Sequence, residues 1–182
     1  DELGALVEVS PALLLARGEW LEELGELEDA ADAFEACLEI GEDPTAQLVL
    51  TRPLLGLARL ALMEGRMEDA LEDIDTALST APRDPEALLA ALSLRSTEDR
   101  RAFAESWREQ HGDTVELRRA EGEAALLAGE PAAAIAPLQA VAGDPPTGRS
   151  ALRLAQALLL SDRIDEAVDL LLAVQPELPE AG

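Results

Sequence analysis

Small and apolar residues recur along this chain at one spacing that returns four times. Each run has a turn residue, an alanine five positions later, a large apolar residue four further on and a smaller one three after that. The four runs are Gly25, Ala30, Phe34 and Cys37; Gly65, Ala70, Ile74 and Ala77; Gly129, Ala134, Leu138 and Val141; and Asp162, Ala167, Leu171 and Val174. Self-similarity at a period of about 34 residues predicts stacked helical hairpins.

Two further positions repeat with these runs. A small residue precedes each turn by seven positions, where we expect one helix to cross another too closely for a large side chain. A proline follows each run. The small residues are Gly18, Ala58, Gly122 and Ala155, and the prolines are Pro44, Pro82, Pro146 and Pro179.

These signals predict ten helices in five antiparallel pairs, within a single domain over residues 1–182. The hairpins are predicted at about 11–41, 44–81, 85–112, 114–142 and 149–175. The 85–112 hairpin lacks the repeated glycine and alanine, and we expect it to be shortened.

Local signals refine the helix ends. Ser10 followed by Pro11 is a capping residue with a first-turn proline, which predicts the start of the first helix. Pro53 lies inside the first helix of the second hairpin. An interior proline removes a hydrogen bond and clashes with the previous turn, so we expect a kink or break near Arg52.

The repeated spacing resembles the signature of the tetratricopeptide repeat (TPR) family, with its first-helix small residue, later alanine, aromatic residue and closing proline. The resemblance covers residues 11–179 and departs at the aromatic position, which only Phe34 keeps. It implies an all-α, right-handed superhelical solenoid of about five antiparallel hairpins. It also implies a non-enzymatic interaction module that binds a peptide or partner helix in a concave groove lined by first helices.

The repeat register of that family places particular side chains on the concave wall. These predicted partner-binding residues are Arg52, Leu55, Arg59, Leu62, Met63, Arg119, Leu126, Leu127, Arg149, Leu152, Gln156 and Leu159. The arginines favour another protein or peptide with an acidic or amphipathic segment, since a guanidinium group binds a carboxylate through paired hydrogen bonds. The family's carboxylate clamp of lysine and asparagine has no match, because the chain contains neither. In the alternative interpretation, the leucines are partly buried between first helices and the arginines pair with neighbouring glutamates.

The ends of the predicted array suggest a second function. Leu170, Leu171 and Leu172 stand in a row, and one helix cannot bury all three against a single neighbour. The alternative to groove binding is therefore a structural assembly piece that self-associates through its terminal hairpins. Trp20 faces the other end of the array, where either residues 1–9 cover it or it is a contact.

Charge argues against two classes of partner. The chain has 38 acidic residues against 14 basic ones, all of them arginine, and its net charge is −24. Such a surface repels the phosphates of nucleic acids and anionic lipid headgroups. The sequence leaves the compartment open, since a cytoplasmic protein and an exported or lipid-anchored mature fragment both fit it.

Residues suited to catalysis or metal binding are sparse. His111 is the single histidine, and its place before Gly112 at a helix end predicts capping or solvent exposure. Cys37 occupies a packing position of the repeat, which predicts a buried and inert thiol. We therefore expect no enzymatic activity, no metal and no cofactor.

Overall fold

The computed structural model describes residues 10–40, 47–143 and 148–174. The described residues form ten α-helices and no strand, which confirms the predicted all-α fold. None of these helices is long and apolar enough to cross a membrane. The helices are α1 Pro11–Leu24, α2 Leu27–Ile40, α3 Gln47–Met63, α4 Met67–Thr80, α5 Pro85–Ser93, α6 Thr97–His111, α7 Val115–Leu127, α8 Pro131–Val141, α9 Gly148–Leu160 and α10 Ile164–Ala173.

The helix-start signal at Ser10 is confirmed. The Ser10 hydroxyl accepts a hydrogen bond from the backbone N–H of Leu13 at 3.3 Å, and Pro11 is the first residue of α1. This capping satisfies one of the backbone donors that a helix leaves without an internal partner. The predicted start of the second hairpin at residue 44 and the closing prolines Pro146 and Pro179 lie outside the described residues.

The four turn positions of the repeat share one backbone conformation. Gly25, Gly65 and Gly129 have φ angles of 79°, 77° and 74°, and Asp162 has a φ of 60°. Aspartate is one of the few residues with a Cβ that tolerates this left-handed region. The last hairpin, which contains Asp162, therefore turns in the same way without a glycine.

Of the kink or break predicted near Arg52, the break is wrong, and the kink stays a prediction. Helix α3 runs unbroken from Gln47 to Met63 with Pro53 inside it. The Pro53 ring is fully buried, so the apolar surface that it removes from water offsets the lost backbone hydrogen bond.

The helices divide into two compact units, residues 1–87 and 88–182. In the first unit α1 packs on α2, α3 on α4, and α2 on α3. In the second unit α7 packs on α8, α9 on α10, and α8 on α9. The boundary falls inside α5, and the single domain over residues 1–182 stays a prediction.

One packing contact fixes how closely the helices of the first unit approach. The Phe34 ring of α2 is fully buried. A Cβ added to Gly18 of α1 would lie 2.5 Å from Cε1 of Phe34, and one added to Gly56 of α3 would lie 2.6 Å from Cε2. The two long edges of the ring therefore rest against glycines on two different helices, where any side chain would overlap the ring.

The same arrangement recurs in the second unit. A Cβ on Gly122 of α7 would lie 2.7 Å from Cδ2 of Leu138, which is fully buried in α8. Gly122 holds the repeat position of Gly18, and Leu138 holds that of Phe34. The close crossing predicted at these two small residues is confirmed.

The Cys37 side chain is buried, as its repeat position predicts. Its thiol donates a hydrogen bond to the backbone oxygen of Pro11 at 3.2 Å. Burial raises the pKa of the Cys37 thiol, which disfavours the reactive thiolate.

We expect Gly18→Ala and Gly56→Ala each to lower the free energy of unfolding by about 1–2 kcal/mol, because overpacking outweighs the gain of roughly 1 kcal/mol that alanine brings to a helix interior. The measurement is urea unfolding followed by circular dichroism. Phe34→Leu removes ring atoms from the contact, so Gly18→Ala should cost less in that background. An increase in stability in either single variant would contradict the packing described.

Candidate functional site

Four of the predicted partner-binding residues line one groove in the first unit. Arg52, Leu55, Arg59 and Met63 of α3 border a cavity of about 530 Å³, which we call the α1–α3 groove. Its other lining residues are all acidic: Glu19, Glu22 and Glu23 of α1 and Glu86 of α5.

Both arginines of the α1–α3 groove are already held by carboxylates across it. Arg52 Nη2 lies 2.5 Å from Oε1 of Glu19. Arg59 binds both carboxylate oxygens of Glu22, with Nε to Oε1 and Nη2 to Oε2 each at 2.8 Å. The hydrogen bonds from Arg59 to Glu22 raise the pKa of Arg59 further above its usual range, although partial burial opposes this. The arginine–glutamate pairing that the sequence left open is thus present at both positions.

The two ion pairs differ in their exposure to solvent. The side chains of Arg52 and Glu19 are 60% and 36% exposed, whereas those of Arg59 and Glu22 are 40% and 13% exposed. A fully solvated pair contributes little to stability because water screens it, and a bidentate pair with a half-buried carboxylate contributes more. Arg59 therefore ties α3 to α1 more firmly than Arg52 does.

The α1–α3 groove keeps a negative balance after this pairing. Four carboxylates face two guanidinium groups: Arg59 Nη1 also lies 3.9 Å from Oε1 of Glu86, and both Glu86 and Glu23 are exposed. Residues 1–87 carry 22 acidic against five basic side chains, so the surrounding surface adds to the negative potential. On α4, burial raises the pKa of Asp73 most, and the neighbouring carboxylates of Glu72 and Asp69 raise it further.

The apolar part of the groove is smaller than the sequence predicted. Met63 is 62% exposed and offers the one large apolar contact among the groove's lining residues. Leu55 borders the cavity but is only 4% exposed, because it packs as part of the wall. Leu62 is half-buried.

The other predicted partner-binding residues lie on α7 and α9 of the second unit. Arg119 donates from Nε to the hydroxyl of the buried Ser150 at 3.1 Å, so it joins α7 to α9. Leu126 packs partly buried against the core of this unit. The remaining predicted residues are exposed: Leu127, Arg149, Leu152, Gln156 and Leu159.

A buried ion pair in the second unit has no counterpart in the sequence predictions. Arg100 of α6 is 8% exposed, and its Nη1 lies 3.3 Å from Oε2 of Glu130, the residue before α8. Its Nε donates to the backbone oxygen of Leu92 at 3.3 Å, and Thr97 donates to the other oxygen of Glu130. These bonds connect the end of α5, the helix α6 and the start of α8.

The residue that could carry acid–base chemistry stands in a stack of rings on α6. The His111 ring centroid lies 4.1 Å from that of Trp107, which in turn stacks at 5.4 Å on Phe103. His111 is the last residue of α6, before Gly112. It is half-buried, with its ring against that of Trp107. Within the described residues no group of three His, Cys, Asp or Glu side chains could hold a metal ion.

We expect Arg59→Ala to lower the free energy of unfolding by about 1 kcal/mol, because it leaves the half-buried Glu22 carboxylate unpaired. The matched variant Arg52→Ala should cost less than about 0.5 kcal/mol, since its pair is exposed. Chemical denaturation of both variants, and of Arg59→Ala combined with Glu22→Gln, measures this. Equal losses for the two arginines would show that burial of the carboxylate does not decide the strength of the pair.

The chain matches no protein-family model and no curated protein sequence. Solved structures do match it. A thermophilic TPR protein from Thermus thermophilus superposes with a TM-score of 0.52 at 22% identity, over 88% of each chain. A tetratricopeptide repeat protein from Parabacteroides merdae superposes with a TM-score of 0.55 at 18% identity, over 95% of this chain and 69% of that one. The repeated spacing and the helical-hairpin architecture agree with these likenesses, and the chain therefore has the tetratricopeptide repeat fold.

Proposed function

We propose that the chain is a non-enzymatic protein-interaction module whose α1–α3 groove binds a peptide or partner helix that carries both basic and apolar side chains. The observation behind this is the exposed Met63 set beside four carboxylates while Arg52 and Arg59 are already paired. Each guanidinium group already donates to a carboxylate of its own chain, which neutralises much of its charge and weakens its attraction for a partner's carboxylate. A basic partner is attracted by the carboxylates themselves.

The predicted acidic partner segment stays a prediction, and the ion pairs count against it in this groove. An incoming carboxylate would meet Glu23 as well as the three glutamates that pair with the arginines, and like charges at close range repel. A lysine or arginine side chain would instead gain from these carboxylates and from the field of the surrounding acidic surface. An amphipathic partner fits provided that its polar residues are basic.

The size of the groove suits one short helix or an extended segment. A cavity of about 530 Å³ falls within the range of roughly 300–1,000 Å³ that accommodates a few anchoring side chains. Met63 would contact an apolar anchor, while the carboxylates set the orientation of the basic side chains. Leu127, Leu152 and Leu159 of the second unit stay predicted contacts for such partners.

Selection from a random peptide library against the full chain tests this proposal. We expect the enriched peptides to combine lysine or arginine with a bulky aliphatic residue. Their binding should weaken as salt is added, because screening reduces the attraction between opposite charges. Enrichment of acidic peptides, or binding that salt leaves unchanged, would contradict the proposal.

Two pairs of matched variants then locate the binding surface. Met63→Gln and Glu23→Gln should each weaken an enriched peptide by about fivefold, equivalent to roughly 1 kcal/mol. Their controls are Met67→Gln and Glu35→Gln, which change an exposed methionine on α4 and an exposed glutamate on α2 outside the groove. Calorimetric titration of each variant is the measurement. Equal effects in variants and controls would place the binding surface elsewhere.

A further inference from the structure

One position of the repeat is buried in every hairpin of the pattern except the last. Phe34, Ile74 and Leu138 are 0%, 1% and 0% exposed. Leu171 of α10 holds the same place in the repeat, yet it is 43% exposed. Val168, one turn earlier on α10, is 46% exposed, whereas its counterparts Ala31 and Leu71 are half-buried and Ile135 is 9% exposed. We call Leu171 and Val168 the trailing face; no described helix covers it.

The helix α1 has an exposed face that α3 keeps buried. Leu13 and Trp20 of α1 are 59% and 60% exposed, and Ala16 between them is also exposed. We call these three residues the leading face. Their counterparts in the repeat, all buried in α3, are Pro53, Gly56 and Leu60.

The contact between α2 and α3 shows how such faces fit. Gly56 of α3 receives the edge of the Phe34 ring from the preceding hairpin. On α1 the position of Gly56 belongs to Ala16, another small residue. On α10 the position of Phe34 belongs to Leu171, which is smaller than phenylalanine, as a Cβ on the facing residue requires. Size and position therefore match between the trailing and leading faces.

We propose that the chain associates head to tail with a second copy of itself, the trailing face of one molecule packing on the leading face of the next. The junction repeats between molecules the packing of α2 on α3. Burial of these exposed apolar side chains drives it, because apolar surface removed from water stabilises the contact. The two faces differ, so the interface is heterologous rather than two-fold symmetric.

Charge at the two faces supports a second copy as the occupant. Arg17 on α1 is exposed and forms no ion pair within the described part of the chain. On α10, Asp165 and Asp169 are exposed acidic side chains. A cation at the leading face and carboxylates at the trailing helix attract each other, although the net charge of −24 repels two copies in general. Added salt should therefore strengthen association up to physiological ionic strength, where the general repulsion is screened.

Four variants of the full chain distinguish this interface from nonspecific association through apolar side chains. Leu171→Glu and Trp20→Glu disrupt the trailing and leading faces. Leu172→Glu is the control on α10, because Leu172 holds the repeat position of the exposed Glu35. Leu24→Glu is the control on α1. All four place one glutamate at an exposed apolar side chain, and circular dichroism checks that each remains helical; Val168→Glu replaces Leu171→Glu if that variant unfolds.

The readout is molecular mass by sedimentation from micromolar to millimolar concentration. We expect the mass of the wild-type chain and of both controls to rise with concentration. Leu171→Glu and Trp20→Glu should each associate more than about tenfold more weakly, since each removes a central contact. An equimolar mixture of these two variants should form a one-to-one dimer, because one supplies an intact trailing face and the other an intact leading face.

Several results would overturn the proposal. A wild-type chain that stays monomeric throughout the range would do so, as would association that begins only when residues 1–9 are deleted. Self-association of Trp20→Glu alone would indicate a symmetric contact through α10 instead. Failure of the two variants to complement each other would exclude the head-to-tail arrangement. In a Trp107→Phe background, Trp20 emission should also move to shorter wavelength as the mass rises.

Discussion

The Phe34 ring, held with its two long edges against Gly18 and Gly56, sets the distance between the helices of the first unit. A ring has little freedom to yield, because movement away from one glycine drives it into the other. The Phe34 side chain and the two glycines, which have no side chain, therefore position the three helices α1, α2 and α3. Side chains elsewhere in the core, mostly leucine and alanine, fill the space that this spacing leaves.

Close approach of α1 and α3 has an electrostatic consequence. It brings Glu19 and Glu22 to the face of α3 in a unit where carboxylates far outnumber cations. Arg52 and Arg59 neutralise that pair of glutamates, so the acidic α1 lies beside a helix that carries two cations and no carboxylate. The groove as a whole stays negative, because four glutamates line it against two arginines. The glycines thus allow α1 and α3 to approach each other through Phe34, and the arginines neutralise the glutamates that this approach brings together.

The repeat pattern predicted features that depend on a residue's position within one hairpin. It did not predict contacts whose partner lies outside the repeat. Gly18 and Gly122 were predictable because a small residue precedes every turn by the same interval. The buried Arg100 was not, since its partner Glu130 lies 30 residues away and the 85–112 segment lacks the repeat that would align them. The break at Pro53 was wrong because the cost of an interior proline can be read from the sequence, whereas the burial that offsets it depends on tertiary packing. In the groove, the register located the arginines on α3 but could not choose between free cations and cations already paired.

Hairpins that pack through two unlike faces leave one face uncovered on the first helix and one on the last, and α1 and α10 each keep an exposed apolar face, although most of its repeat counterparts are buried. Polar residues on such a face would keep it solvated, but several of its positions are apolar here. Leu13, Trp20, Val168 and Leu171 remain apolar and exposed. The net charge of −24 opposes random contacts of these patches, since two copies repel each other at every orientation. Only an approach that buries enough apolar surface, with a small residue facing a large one, can outweigh that repulsion. The acidic charge therefore disfavours contacts between copies that bury little apolar surface.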